Sequence, residues 1–309
     1  MKRNIFSIIL IVFIIVLLAC STEPLISPPG IWVEYKSDSI TFAVIGDYGS
    51  AGDAEKGVAD LVKSWSPDFI LTTGDNNYPK GQSSTLYDNI GQYYADYIYN
   101  WDAPETFCCE GAASIEKVNR FFPSPGNHDT YSNDGLTPYL NYFTLPGNEQ
   151  YYHFRWGPVG FYSLNSTEDD MDEQFTWLAE QLKTDSATFR IVYFHHSPYS
   201  PGPHGDSEKM QWDYRLHGVD IVLTGHDHLY ARIQKKSEPG MYYLITGAGG
   251  KSLYTADNSK LDADLFAVFS YDQNYGAVRG KADPTHLVLE YYAIANDSIV
   301  IDRIVLRKP

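Results

Sequence analysis

Cysteine is nearly missing from this chain of 309 residues: there are three, at positions 20, 108 and 109. Cys108 and Cys109 are adjacent, so they cannot close an ordinary long loop; they are free thiols or a strained vicinal pair, and a disulfide framework is excluded. Basic residues are also scarce, with 23 Lys and Arg against 39 Asp and Glu and a formal net charge of −16. Gripping a nucleic-acid backbone takes clustered Lys and Arg, so nucleic acid is not an expected partner. The acidic balance is read as plain solubility. Long apolar runs are lacking too. The one extended stretch, Ile5–Ala19, is shorter than the ~20 residues of a membrane-spanning helix. No internal repeat or linker divides the rest, so it reads as one domain at the upper end of single-domain size.

Lys2 and Arg3 precede the apolar stretch, and Leu17-Leu18-Ala19-Cys20 closes it. A basic start, an apolar middle and a small residue before the cut make a secretory signal. A cysteine directly after the small residue resembles the lipobox of bacterial lipoproteins. That implies lipidation of Cys20 and a lipid anchor to a membrane of the bacterial envelope (outer membrane or cell surface); the alternative is an ordinary signal cut nearby. The prolines up to Pro29 suit a tether. The expected organisation is a signal over 1–19, a tether over 20–36 and a single folded domain over 37–309. Loss of the signal removes two cations and takes the formal charge from −16 to −18.

Five apolar runs that alternate poorly read as strands buried on both faces: Ile40–Ile45, Phe69–Thr73, Arg190–Phe194, Val219–Thr224 and Tyr242–Thr246. Val58, Leu61, Val62 and Trp65 fall at helical spacing after Asp53, a candidate N-cap. Phe175, Leu178 and Leu182 do the same after an acidic stretch, Glu168–Glu173, which favours a helix N-terminus. Strand alternating with helix predicts a layered α/β fold. Alternation at Leu287, Leu289, Tyr291 and Ala293, a turn at Asn296-Asp297, then Ile299, Ile301 and Ile304 predict a hairpin completing a second sheet. In the tyrosine-rich stretch 80–120, Ile90, Tyr94, Tyr97 and Trp101 suggest a packed helix.

What the chain does have is five short segments that each end an apolar run with groups able to bind hard metal ions. They are Gly46-Asp47-Tyr48-Gly49, Gly74-Asp75-Asn76-Asn77-Tyr78, Gly126-Asn127-His128-Asp129, His195-His196 and Gly225-His226-Asp227-His228. A glycine turn directly after a strand is where α/β folds build their sites. Carboxylate, amide oxygen and imidazole together suit divalent and trivalent first-row metals, and the absence of thiolate argues against a structural zinc cluster. A carboxylate has two oxygens, so Asp47 or Asp75 can bridge two ions. In an extended turn His226 and His228 project to the same side. Two ions about 3.5–4 Å apart form a clamp suited to in-line displacement at phosphorus.

The order GDxG, GDxxY, GNHD, VxxH, GHxH resembles the calcineurin-like metallophosphoesterases and, within them, the small single-domain purple acid phosphatases. The resemblance implies a four-layer sandwich: two mixed sheets flanked by helices, with the metals at the strand ends. It implies that Asp47, Asp75, Tyr78 and His228 hold one ion, and that Asp75 bridges to a second held by Asn127, His195 and His226. Many relatives carry a histidine where this chain has Gly49, and Tyr78 stands at a spacing that makes replacement possible. A phenol with pKa near 10 ionises at neutral pH only beside a strong Lewis acid. That favours Fe(III) at Tyr78 and leaves Fe(II), Zn or Mn for the second ion. The plainer alternative is a core tyrosine, one of 25.

Counting from His195 fits VxxH and puts His204 nine residues on, where small members have a histidine for substrate contact and proton delivery. His195 is therefore the expected ligand and His196 a residue that supports the ligands from behind or lines the pocket; His204 is alternatively an exposed loop histidine. The resemblance puts His128 near the phosphate and leaving oxygen, so His128 and His204 are the candidate catalytic histidines. Asp129 is expected to orient or cap. Gly247–Ser252 fails as a phosphate-binding P-loop, because Ile245 stands where glycine is required and no helix pattern follows. It resembles a glycine-rich strand exit that lets backbone approach the site closely.

The expected activity is hydrolysis of phosphate monoesters by in-line attack of a metal-bound hydroxide, with His128 or His204 protonating the departing alkoxide. The expected partner is a small phosphorylated substrate. One rival is a phosphodiesterase, or a nucleotide or diphosphate hydrolase, on the same metals. A remote rival is a surface lipoprotein that binds metal or a partner without catalysis.

Overall fold

The computed structural model describes residues 33–100, 118–296 and 299–309. The signal, Cys20, most of the tether, Trp101, Cys108, Cys109 and Asp297 lie outside the described residues. Among the described residues no helix is long and apolar enough to cross a membrane.

The chain forms two mixed sheets. The first holds β1 (Val33–Tyr35), β5 (Tyr152–Trp156), β6 (Val159–Ser163), β7 (Phe189–Tyr193), β8 (Ile221–Thr224), β10 (Tyr242–Thr246), β9 (Tyr230–Lys235) and β11 (Leu265–Tyr271), in that order. The second runs β14 (Val300–Arg307), β13 (His286–Ala293), β12 (Gly276–Ala282), β2 (Ile40–Ile45), β3 (Phe69–Thr72) and β4 (Phe121–Pro123). In the second sheet β2, β3 and β4 are parallel neighbours. In the first, β6, β7, β8 and β10 are. Each parallel set sends its C-terminal ends one way, and these are the ends that carry the candidate metal-binding segments. Topology therefore gathers motifs that are far apart in sequence.

Aromatic side chains on the facing sides of the sheets join them. Phe42 and Phe69 of the second sheet meet Phe161 of the first edge-on, with ring centroids 5.3 and 5.2 Å away. Phe122 stacks on Phe154 at 4.0 Å. Each such ring contributes about 1.5–3 kcal/mol on burial. Helix α1 (Asp53–Ser64) buries Val58, Leu61 and Val62, and Trp65 beyond it packs on Tyr292 of β13. The long helix Asp172–Thr184 covers the other sheet with Leu178 and Leu182, which join a cluster containing Val192 and Val222.

Several expectations need correction. Asp53 is not the N-cap of α1. That place belongs to Gly52 in an extended conformation, and no side chain caps it. Instead Glu55 reaches back to accept the N–H groups of Ser50 and Ala51 at 2.8 and 2.7 Å. Only Asp172 and Glu173 of the acidic stretch 168–173 lie in the first turn of the long helix. Phe175 is half-buried and stacks on Trp212, and Gln174 takes a buried position by bonding the Asn165 backbone. Among the described residues of 80–120 the expected packed helix is irregular: a wide turn Tyr87–Gly91 followed by Gln92–Tyr94. Ile90, Tyr94 and Tyr97 are buried as that pattern required. Val33–Tyr35, inside the span expected as tether, pairs with β5, so the sheet begins before residue 37.

Candidate metal centre

The exits of β2, β3 and β8 share one backbone device. Asp47, Asp75 and His226, one residue from a glycine in each case, have φ of +53°, +53° and +71°. Left-handed backbone is costly for a non-glycine residue and concentrates at functional sites. Here it turns each side chain inward. The neighbouring glycines let the exits crowd together: a Cβ on Gly126 would lie 2.3 Å from Asp75 Oδ1, and one on Gly225 2.4 Å from Asp47 Oδ2.

Four donors converge on one side. Tyr78 Oη lies 2.9 Å from Asp75 Oδ2, 3.3 Å from Asp47 Oδ1 and 3.2 Å from His228 Nε2. The other oxygen of Asp75 faces the second group, with His195 Nε2 at 3.4 Å. That nitrogen also sits 2.9 Å from Asn127 Oδ1 and 3.1 Å from His226 Nδ1. Asp75 thus stands between two sets of donors, one oxygen toward each.

Tautomers follow from carbonyl acceptors. His195 Nδ1–H donates to Thr73 O at 2.9 Å, and His228 Nδ1–H donates to Ser252 O at 2.8 Å. Each leaves an Nε2 lone pair aimed into the site, the usual arrangement of a metal-ligating histidine. Asn127 Nδ2 donates to Tyr131 Oη at 2.8 Å, which fixes the amide with its oxygen inward. Burial, then the charge of its histidine neighbours, holds His226 neutral, the form that can ligate.

The electrostatics call for a cation. Asp47 and Asp75 are buried carboxylates, and among the described residues their ion-pair partners are histidines alone. Buried anions of this kind need positive charge supplied from elsewhere. Burial, then Asp47 and Asp75, push the Tyr78 phenol well above its ordinary value. The protein alone therefore keeps Tyr78 protonated, and only a strongly charged cation reverses that. The residues could hold metal ions of the hard or borderline kind.

The other expected residues lie round this centre. His196 turns Nδ1 to Ser166 Oγ at 2.9 Å while its ring stays 4.5 Å from that of His226. Burial, then His195, depresses its pKa to about 2. Asp129 accepts from Gly126 N at 2.8 Å and from Asn76 Nδ2 at 2.8 Å, joining the Asn127 turn to the Asp75 turn. Burial, then Asp75, raises its pKa to about 7. His128 donates Nδ1–H to Pro79 O at 2.7 Å and brings Nε2 to 4.0 Å from Asp75 Oδ2. The His204 ring is exposed and stacks on His226 at 4.0 Å. The strand exit after β10 comes in close: a Cβ on Gly247 would lie 2.2 Å from Asp227 O, and one on Gly249 2.3 Å from Gly46 O.

Sequence reasoning missed Asn76, Tyr131, Lys251 and Tyr254. Asn76 looked like a spacer, yet it ties Asp129 to Ser124 O and accepts from Tyr48 Oη. Lys251 carries its ammonium 4.8 Å from the centre of the Tyr78 ring. Tyr254 stacks on His228 at 4.2 Å. No pattern in the sequence marked Tyr131 or Tyr254, since tyrosines are abundant everywhere.

Residues 40–230 match the family model described as calcineurin-like phosphoesterase. The chain is 26% identical over 254 residues to purple acid phosphatase 17 of Arabidopsis thaliana, covering 70% of each protein. It is 23% identical over 254 residues to human tartrate-resistant acid phosphatase type 5, covering 68% of this chain and 73% of that one. A purple acid phosphatase from yellow lupin seeds superposes with a TM-score of 0.67 at 18% identity, over 88% of this chain and 54% of the lupin chain. With two mixed sheets, a strand-end site and this match over most of its length, the chain belongs to the calcineurin-like phosphoesterases and is similar within them to the purple acid phosphatases.

Proposed function

We propose that the protein is a dinuclear phosphomonoesterase of the acid phosphatase type. The observation that carries this is the division of Asp75 between two donor sets, Oδ2 with Tyr78, Asp47 and His228, and Oδ1 with His195, Asn127 and His226. Asp47, Asp75, Tyr78 and His228 would hold one ion, Fe(III) in this reading. Asp75, Asn127, His195 and His226 would hold the other, Fe(II), Zn or Mn. When bound, the pair supplies Lewis acidity at the phosphoryl oxygens and a nucleophile from water near neutral pH.

The chain's own groups then do the rest. Asp75, oriented by the N–H of His128 at 2.8 Å, keeps the two donor sets in register. His128 and His204 stand at the rim, within reach of a leaving oxygen, and either can deliver its proton. Lys251 favours a monoester. Its ammonium lies over the Tyr78 ring, and a monoester dianion carries one more negative charge than a diester for it to meet. A lipid anchor at Cys20 in the bacterial envelope belongs to the same proposal, and mass spectrometry of the mature N-terminus tests it.

The deciding experiment uses the soluble form from Ser21, loaded with iron and zinc and assayed on monoester and diester panels. The reading expects two metals per chain, higher kcat/KM on monoesters, and a Lys251→Met variant that loses at least about fivefold more on monoesters than on diesters, as expected for a charge-assisted contact. Full metal content without turnover of any phosphoester would favour the binding-protein reading. Equal losses on both panels would remove the role of Lys251.

A further inference from the structure

Asp227 lies between two candidate ligands, yet its carboxylate hydrogen-bonds a neighbouring loop. Its carboxylate is buried, 1% exposed, and both oxygens are directed at the loop 200–204. Oδ1 accepts the backbone N–H of His204 at 3.0 Å, and Oδ2 accepts the Ser200 hydroxyl. The Ser200 oxygen in turn accepts the N–H of Gly202 at 3.0 Å. The loop wraps the carboxylate so tightly that a Cβ on Gly202 would lie 2.1 Å from Asp227 Cγ. Three more contacts brace it from outside: Ser200 N–H to Asp206 Oδ1 at 2.7 Å, Asp257 N–H to Pro201 O at 2.8 Å, and Lys260 Nζ to Gly202 O at 3.1 Å. The His204 ring makes no hydrogen bond among the described residues and rests against His226 at 4.0 Å and Tyr254 at 5.5 Å. Its position is therefore set by its backbone, and the backbone is set by Asp227.

We propose that Asp227 is a positioning residue, whose buried carboxylate straps the loop 200–204 to the His226–His228 turn and so holds His204 over the candidate metal centre. The inference rests on the reading of His204 as a proton donor. It explains why an acidic side chain occupies the middle of the GHxH segment: two short acceptor contacts to one loop need a carboxylate that is aimed away from the ions its neighbours would hold. Loss of the strap lets the ring drift, and small misplacements of a reacting group are expensive.

The test uses the metal-loaded protein and four variants, Ser200→Ala, Asp227→Asn, His204→Ala and Ser200→Ala with His204→Ala. Ser200 lies in the loop and hydrogen-bonds Asp206, Asp227 and Gly202, none of them a candidate ligand, so it separates the strap from metal binding. Two substrates are compared, p-nitrophenyl phosphate, whose leaving group needs no proton, and an alkyl phosphate, whose leaving group does. Ser200→Ala should lower kcat on the alkyl phosphate about tenfold with little change on the aryl one, at unchanged metal content. It should add nothing in the His204→Ala background. Hydrogen exchange of the His204 amide should speed at least about tenfold in Asp227→Asn, whatever the activity. Equal losses on both substrates, additive losses with His204→Ala, or unchanged exchange would overturn the strap alone. Wild-type protein with no phosphoester turnover, or His204→Ala with full turnover of the alkyl phosphate, would overturn the underlying reading and the strap with it.

Discussion

A histidine cannot stand at position 49 in this protein, and substitution there should show it. A Cβ on Gly49 would lie 1.7 Å from Asn76 O, 2.5 Å from the carbonyl carbon and 3.1 Å from Asn77 N. These are backbone atoms, so no rotamer change relieves the overlap. The Asn76–Asn77 peptide would have to retreat by well over an ångström, and it links Asp75 to Tyr78. The Tyr78 N–H also donates to Gly49 O at 2.8 Å, so the two exits are bonded as well as packed. Overpacking of this kind costs about 3 kcal/mol or more. In a chain of this size, at about 2.1 cal/mol/K of unfolding entropy per residue, that lowers the melting temperature by roughly 5 °C or more. Gly49→Ala and Gly49→His should both show the drop in metal-free protein, where ligand binding does not mask it. Neither Gly49→His nor Gly49→His with Tyr78→Phe should bind iron at the first position. A double variant that melts with the wild type and holds two metals would refute the reasoning.

Three further outcomes are expected. Asp75→Ala should abolish turnover and lose both ions, measured by metal analysis; strong residual activity at full metal content would contradict a shared carboxylate. Tyr78→Phe should leave the fold intact but remove visible tyrosinate-to-iron absorption, and a colourless wild type holding stoichiometric Fe(III) would exclude Tyr78 as its ligand. Burial raises the Glu55 pKa to about 9, against the two backbone N–H groups that lower it, and Oε1 has no partner. The folded state thus holds a proton that the unfolded state releases near pH 4.5. Stability from this group is full below about 4.5 and lost toward 9, by up to about 1.4 kcal/mol per pH unit. The melting temperature of metal-free wild type should therefore fall relative to Glu55→Gln between pH 5 and 9, whereas parallel curves would mean that Glu55 does not titrate so high.

The strand exits were readable because each apolar run stops at a side chain able to bind a metal, in four of the five after a glycine, a local signal that needs no knowledge of tertiary contacts. Convergence of those exits depends on parallel neighbours in two sheets, which alternating strand and helix patterns already suggest. What could not be read is conformational or non-local. The left-handed backbone at Asp47, Asp75 and His226 is a conformation that these residue types do not demand. Asp227 looked like a spacer between histidines because its partners, Ser200 and His204, are 27 and 23 residues away. The helix start was misjudged at Asp53 because Glu55, three residues inside Gly52, does the capping work by reaching back to Ser50 and Ala51. The stretch 80–120 carries helical spacing, but its wide turn at Tyr87–Gly91 has no distinct sequence period.

The most direct test of the central claim is anomalous diffraction at the iron and zinc edges from crystals of the metal-loaded protein. The account predicts two peaks about 3.5–4 Å apart, one against Asp75 Oδ2, Tyr78 and His228, the other against Asp75 Oδ1, Asn127 and His195. A single peak, or two that do not share Asp75, would contradict it.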